Sequence, residues 1–362
     1  MEFTKRDTKF IKGVAICLML YHHLFAFPER VTEGVFISLW SFNDTNLSVC
    51  LGAFGRICVP LFTLMSGYGC YLSSLRGGDT GALVRRHIWG LYRTYWMVFS
   101  VCLPVLVYKW RAMRSLLAHE VIYNFLGLST SFNNEWWFVL PFAVLLVLFP
   151  AMKRFAERRR AGLCIDLFLV LILNAVIVYI IPYMMTLTVF AGLSSTVFWA
   201  RTKEVLELLP AFLTGIIFAR WDVLSAVKAK YGGRLLWCAA AIAGMCAIFL
   251  IRAHNAKYYD FVNAAAFVMC LIVLLPTKLM ALAGKVLAKL GEESAIMWLV
   301  HTFLCYYWLQ RLVYAPKYAV LIFLWLVMLS YGFAKLIRLL WKWTCRLVKR
   351  LSARKEVSAD GT

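Results

Sequence analysis

The chain has 362 residues, 62% of them hydrophobic, a mean hydropathy of +0.74 and a formal net charge of +21. Soluble domains are about half apolar, and a soluble protein with this composition would have more core than surface to cover it. The apolar residues also fall in long runs nearly free of charge, so the composition excludes a soluble enzyme and points to an all-α, polytopic bundle of membrane-spanning helices.

Ten candidate spans follow in chain order: 10–28, 51–75, 87–108, 136–152, 163–190, 205–220, 235–252, 261–276, 294–314 and 318–341. With the N-terminus in the cytoplasm, Lys and Arg on the inner segments outnumber those on the outer ones by roughly two and a half to one, while Asp and Glu divide evenly. The basicity therefore reads as topology, with both termini inside, and not as an affinity for nucleic acid. The stretch KLIRLLWKWTCRLVKRLSARK adds a candidate contact with anionic membrane lipids. Localisation follows as a multi-pass protein of the cell (inner or plasma) membrane.

The first span, KGVAICLMLYHHLF, has a basic start and an apolar run like a signal peptide. Phe25-Ala26-Phe27 stands where a small-residue cleavage site would be, so the span reads as retained. Lys12 and His23 are eleven residues apart, about 1100° of helical rotation and ~20° from three full turns, so they share one face about 16 Å apart. Lys12 falls at the cytoplasmic surface and His23 near the midplane, with His22 roughly 100° away. That spacing suits a long ligand, anionic at one end and reactive at the other, as coenzyme A is. A neutral imidazole at its tip would act as general base on an acceptor hydroxyl. The plainer alternative is a histidine bonded to a neighbouring helix.

In the second span, PLFTLMSGYGCYL, Ser66 and Gly67 are small enough to admit a helix or a ligand, and helix packing is the simpler reading. In the third, Arg93 lies about 9 Å inside the expected start at His87, with Arg85 and Arg86 at the entrance. A phosphate would satisfy it, as would snorkelling. NNEWWFVLPF opens the fourth span, where Trp136 and Trp137 read as an interfacial belt and Glu135 as either an aid to an acceptor or a solvated acid. The fifth holds Asp166 and Pro182, a candidate kink. The ninth, in LGEESAIMWLVHTFL, carries His301 about 10 Å past Ser294. His23, Arg93 and His301 all enter from the inner side to similar depth, which points to one polar-lined cavity. Residues 1–350 form the transmembrane domain, and the polar tail 351–362 reads as disordered. Eleven scattered cysteines without C-x-x-C suggest neither metal nor disulfide, although Cys50 and Cys58 both fall outward and are candidates to pair.

These segments together resemble the acyltransferase-3 family of integral-membrane acyltransferases. KGVAICLMLYHH is similar to the family's first helix, in which Arg or Lys precedes His by ten intervening residues. FTLMSGYGCYL resembles its SGY segment, GLYRTYWMV its R-x-x-R segment, EWWFVLPFAVLLVLFP its Trp-Phe-Leu helix and EESAIMWLVHTF its late His segment. The first Arg of R-x-x-R is Gly90 here, so that either Arg86, one turn back, replaces it or the coenzyme is held differently; Tyr-Pro is Tyr95-Trp96, and the late Tyr is Trp298. The resemblance implies transfer of an acyl group, most often acetyl, from cytoplasmic acetyl-CoA to a hydroxyl of a surface or lipid-linked glycan. It implies His23 as the essential histidine, and Lys12 and Arg93 as donor-holding. His301, Ser66 and Glu135 are further candidates. A proton-coupled transporter or flippase is the competing class, since intramembrane His, Arg and Asp166 would suit it too. The repeat symmetry common in such carriers is not evident in the sequence.

Overall fold

The computed structural model describes residues 2–42, 45–113, 118–158, 162–254 and 259–359. Apart from a hairpin of two two-residue strands, β1 (Ser41–Phe42) and β2 (Thr45–Asn46), the secondary structure among them is helical. The helices are α1 (Lys5–Phe25), α2 (Leu47–Gly55), α3 (Cys58–Ser74), α4 (Thr80–Met113), α5 (Ala118–Leu126), α6 (Val139–Arg158), α7 (Leu163–Ala175), α8 (Ile181–Met185), α9 (Ala191–Ser194), α10 (Val197–Arg220), α11 (Val223–Tyr231), α12 (Leu235–His254), α13 (Asp260–Leu274), α14 (Lys278–Thr302), α15 (Gln310–Tyr314) and α16 (Ala319–Ala359). Five helical stretches among the described residues are long and apolar enough to cross a membrane alone, or six if α10 and α11, bent by 65° at their break, make one span. The sequence count of ten is therefore not reached on that criterion. α1 and α14 carry charged residues along their inner turns, and α13 has only 15 residues. The expected kink in the fifth span is a π-helical turn at Val176–Ile180, just before Pro182. α16 runs on through 351–359, where a disordered tail was expected; the last three residues of that tail lie outside the described ones.

α1 is the central rod. Thr4 and Asp7 cap its start reciprocally, Thr4 Oγ1 accepting from Asp7 N and Asp7 accepting from Thr4 N. Without water, helices associate through close backbone contact at small residues. A Cβ at Gly13 would collide with the Leu287 carbonyl, and one at Gly291 with that of Lys9, so α1 and α14 touch backbone to backbone. Gly52 and Gly55 bring α2 as close to α1, and Gly67 and Gly215 do the same for α3 and α10. Gly67 is thus a packing residue, while its neighbour Ser66 faces elsewhere.

Ion pairs fasten the inner end of this core, where inner means the side of the arginine- and lysine-rich loops. Asp7 accepts from Lys228 at 2.6 Å and Lys9 meets Glu292 at 2.6 Å. Glu293 accepts from Lys335 and Arg338, each at 2.7 Å. Burial alone would raise the Glu293 carboxyl, but those hydrogen bonds hold it below the usual carboxylate range. The exposed Asp79 is also lowered, by hydrogen bonds from the backbone of Gly81 and Ala82 at the start of α4. Asp166 lies away from the central cavity, bonded by Arg220 at 3.0 Å and Trp221 at 2.8 Å. Cys50 and Cys58 are free thiols and do not pair.

Candidate active site

A cavity of about 740 Å³ runs beside α1 between α2, α3, α4, α6, α12 and α14. Its inner part is lined by Lys12, Ser66, Leu91, Ser294 and Ala295, and its outer part by His22, His23, Phe27, Arg56, Glu135, Trp137 and Arg252. The helical phase read from sequence thus puts Lys12 and His23 on the same wall of one space. The hydroxyls of Ser66 and Ser294 donate back to their own helices, to Phe62 O at 2.7 Å and Gly291 O at 2.9 Å, which leaves oxygen lone pairs toward the cavity.

His23 is buried, and three side chains define its surroundings. Glu135 Oε2 lies 3.7 Å from His23 Nε2. The Tyr306 hydroxyl lies 3.5 Å from Nδ1 and donates to the backbone oxygen of His23. The ring of His301 sits behind, centroids 4.8 Å apart. His301 does not line the cavity. Its Nδ1 donates to Trp298 O at 2.6 Å, and its buried Nε2 has no hydrogen-bond partner among the described residues.

Local structure presents Glu135 to His23 with little freedom. Asn133 caps a 3₁₀ turn, Asn134–Phe138, by accepting from Glu135 N at 3.1 Å. Asn133 is itself held on α14, its Nδ2 donating to Thr302 Oγ1 at 2.8 Å and its Oδ1 accepting from that hydroxyl. The neighbouring Trp136 donates to Leu299 O at 2.9 Å. The other carboxylate oxygen of Glu135 accepts from Arg30 at 3.1 Å. Arg30 lies over the Phe27 ring, 4.2 Å from its centroid, and its loop is pinned by Gln310. The Gln310 side-chain oxygen accepts from Thr32 N, Thr32 Oγ1 and Glu33 N, and its amide donates to Arg30 O and Cys305 O. Tyr306 belongs to a π-helical turn, Phe303–Trp308, a local widening frequent at functional sites.

The two arginines expected to hold the donor stand elsewhere. The inward stripe of α4 runs through Val84, Leu91, Tyr95, Val98 and Cys102. Arg93 is two residues from both Leu91 and Tyr95, about 200° around the helix, and is exposed. Arg86, seven residues back, shares that exposed face and lines a separate inner pocket of about 120 Å³ with Ser73, Ser74 and Asp79. The sequence reading missed Arg30, Tyr306 and Gln310. Gln310 carried a signal, a lone amide at the end of an apolar run; Arg30 carried none, because only the fold brings it to Glu135.

Chemically, the arrangement offers a cation toward one end of a cavity and an imidazole facing a carboxylate toward the other. A family model described as an acyltransferase domain matches residues 8–341. No curated protein and no solved structure matches the chain.

Proposed function

The chain belongs to the acyltransferase-domain family, in its membrane-embedded form, and from that premise we propose that it is an O-acetyltransferase moving an acetyl group from cytoplasmic acetyl-CoA to a hydroxyl of a surface or lipid-linked glycan. The observation that carries this reading is the cavity that holds Lys12 at its inner end and the His23–Glu135 pair farther out. In it the anionic part of the donor meets Lys12 while the pantetheine arm runs along α1, and the thioester arrives beside His23. The two lie about 16 Å apart along the axis, a reach the extended arm of coenzyme A matches.

His23 Nε2 takes the proton of the acceptor hydroxyl as the oxygen attacks the thioester carbon. The carboxylate of Glu135 at 3.7 Å stabilises the imidazolium as it forms. When the tetrahedral intermediate collapses, the carbon–sulfur bond breaks, and the proton on His23 passes to the departing thiolate. The ester and free coenzyme A are the products, and His23 returns to its neutral form. Tyr306, donating to the His23 backbone, fixes where the ring stands.

A proton-coupled carrier is less well supported. Asp166, the acid that best suited it, is neutralised by Arg220 outside the cavity. The test is transfer of labelled acetyl from acetyl-CoA by the purified full-length protein with a glycan acceptor. His23→Ala is expected to abolish transfer while acetyl-CoA still binds; wild-type transfer in that variant would refute the general-base assignment.

A further inference from the structure

Three cations line the cavity, Lys12, Arg56 and Arg252, and the last is fully occupied. Its Nε and Nη2 donate to the two oxygens of Asp260 at 2.8 and 2.9 Å, and its Nη1 to Ala53 O and Phe54 O at 2.7 and 3.0 Å. Those carbonyls lie in the last turn of α2 inside the span Leu47–Ser74, where they also accept from Arg56 N at 3.4 Å and Ile57 N at 3.0 Å, so Arg252 braces the end of that helix. Arg56 occupies the break itself, after the nine residues of α2 and about 13 Å from its first residue. The adjoining Gly55 packs on Leu18 and His22, in the outer half of α1. The Arg56 side chain is exposed and lines the cavity. Among the described residues it has no carboxylate at ion-pair distance, which leaves its guanidinium fork available to an anionic group in the cavity. The donor's phosphates, which the reading above puts at Lys12, do not require it.

The side chains around Arg56 fit a sugar. His22 Nδ1 donates to Gly52 O at 2.8 Å, so in the neutral ring Nε2 keeps a lone pair able to accept from a hydroxyl. Phe27, Phe54 and Phe249 supply ring faces on the same part of the wall. We infer that Arg56 is the recognition residue of an acceptor subsite for an anionic sugar, one carrying a carboxylate or a phosphate beside the hydroxyl that reaches His23. Calling this ligand the acceptor rests on the acyltransferase reading; the anion preference of the site does not.

The test separates the two. Binding of a galacturonate tetrasaccharide, of glucose 1-phosphate and of maltotetraose to the full-length protein is measured by calorimetry without any donor, and acetyl-CoA binding is measured in parallel. The anionic probes are expected to bind roughly tenfold or more tighter than maltotetraose, as a charged hydrogen-bonded pair permits, and the tighter of the two names carboxylate or phosphate as the group recognised. Arg56→Gln is expected to remove that preference and leave acetyl-CoA affinity unchanged, with Arg56→Lys restoring part of it. Equal binding of neutral and anionic probes by the wild type, or a preference that survives in Arg56→Gln, would overturn the inference. So would a variant that loses acetyl-CoA affinity instead, since Arg56 would then serve the donor. Failure of acetyl transfer with the anion preference intact would count against the proposed reaction and not against the subsite.

Discussion

Replacing Glu135 by glutamine keeps the side chain's shape and its ability to accept from Arg30, and removes only the charge facing His23. At 3.7 Å, a carboxylate and an imidazolium attract by about 4 kcal/mol at an effective dielectric of about 20. Arg30, 3.1 Å from the other oxygen of the same carboxylate, offsets part of this, leaving on the order of 2 kcal/mol. The imidazolium exists only as the hydroxyl proton is transferred, so the loss falls on the transition state and not on the bound donor. Turnover is expected to fall about thirtyfold, with acetyl-CoA affinity unchanged. The assay is single-turnover transfer of labelled acetyl at saturating donor, paired with equilibrium binding. Turnover within about threefold of wild type would show that Glu135 does not stabilise the charged ring, and a matching loss of donor affinity would show that it acts in binding.

Lys12→Ala is expected to weaken acetyl-CoA binding more than Arg93→Ala or Arg86→Ala, because Lys12 lines the cavity and the arginines face away from it; calorimetry on the three variants decides the order. Gly13→Ala is expected to lower thermal stability by overpacking of roughly 1–3 kcal/mol, since its methyl meets the Leu287 carbonyl; a melting curve like that of wild type would contradict the close contact of α1 and α14. Glu293 titrates below its ordinary value in the folded protein, so its contribution is present above the unfolded carboxylate range and is lost as pH falls through the lowered value. Melting temperature is therefore expected to fall as the pH drops below the ordinary carboxylate range, and to fall less in Glu293→Gln.

Much of the helical architecture was legible because each span is a local pattern. Lys12 and His23 share a wall because both sit on one uninterrupted helix, where counting residues fixes the angle between them. The same count was insufficient for Arg93. Depth along α4 follows from sequence, but which face turns inward is decided by the packing of Leu91, Tyr95 and Val98 against neighbouring helices. Glu135 was identifiable as an interfacial acid, yet its approach to His23 depends on the Asn133–Thr302 clamp, whose partners are far apart in the chain. Arg252 and Asp260 were hidden for another reason. Their task is to brace the end of α2, and the break that follows it falls inside 51–75, which reads in sequence as a single span.

The most direct test of the account is a structure of the full-length protein with coenzyme A bound. The account predicts the phosphates beside Lys12, the pantetheine arm along α1, and the thiol sulfur next to His23 on the side facing Glu135. Phosphates at Arg56, or a coenzyme bound outside this cavity, would contradict it.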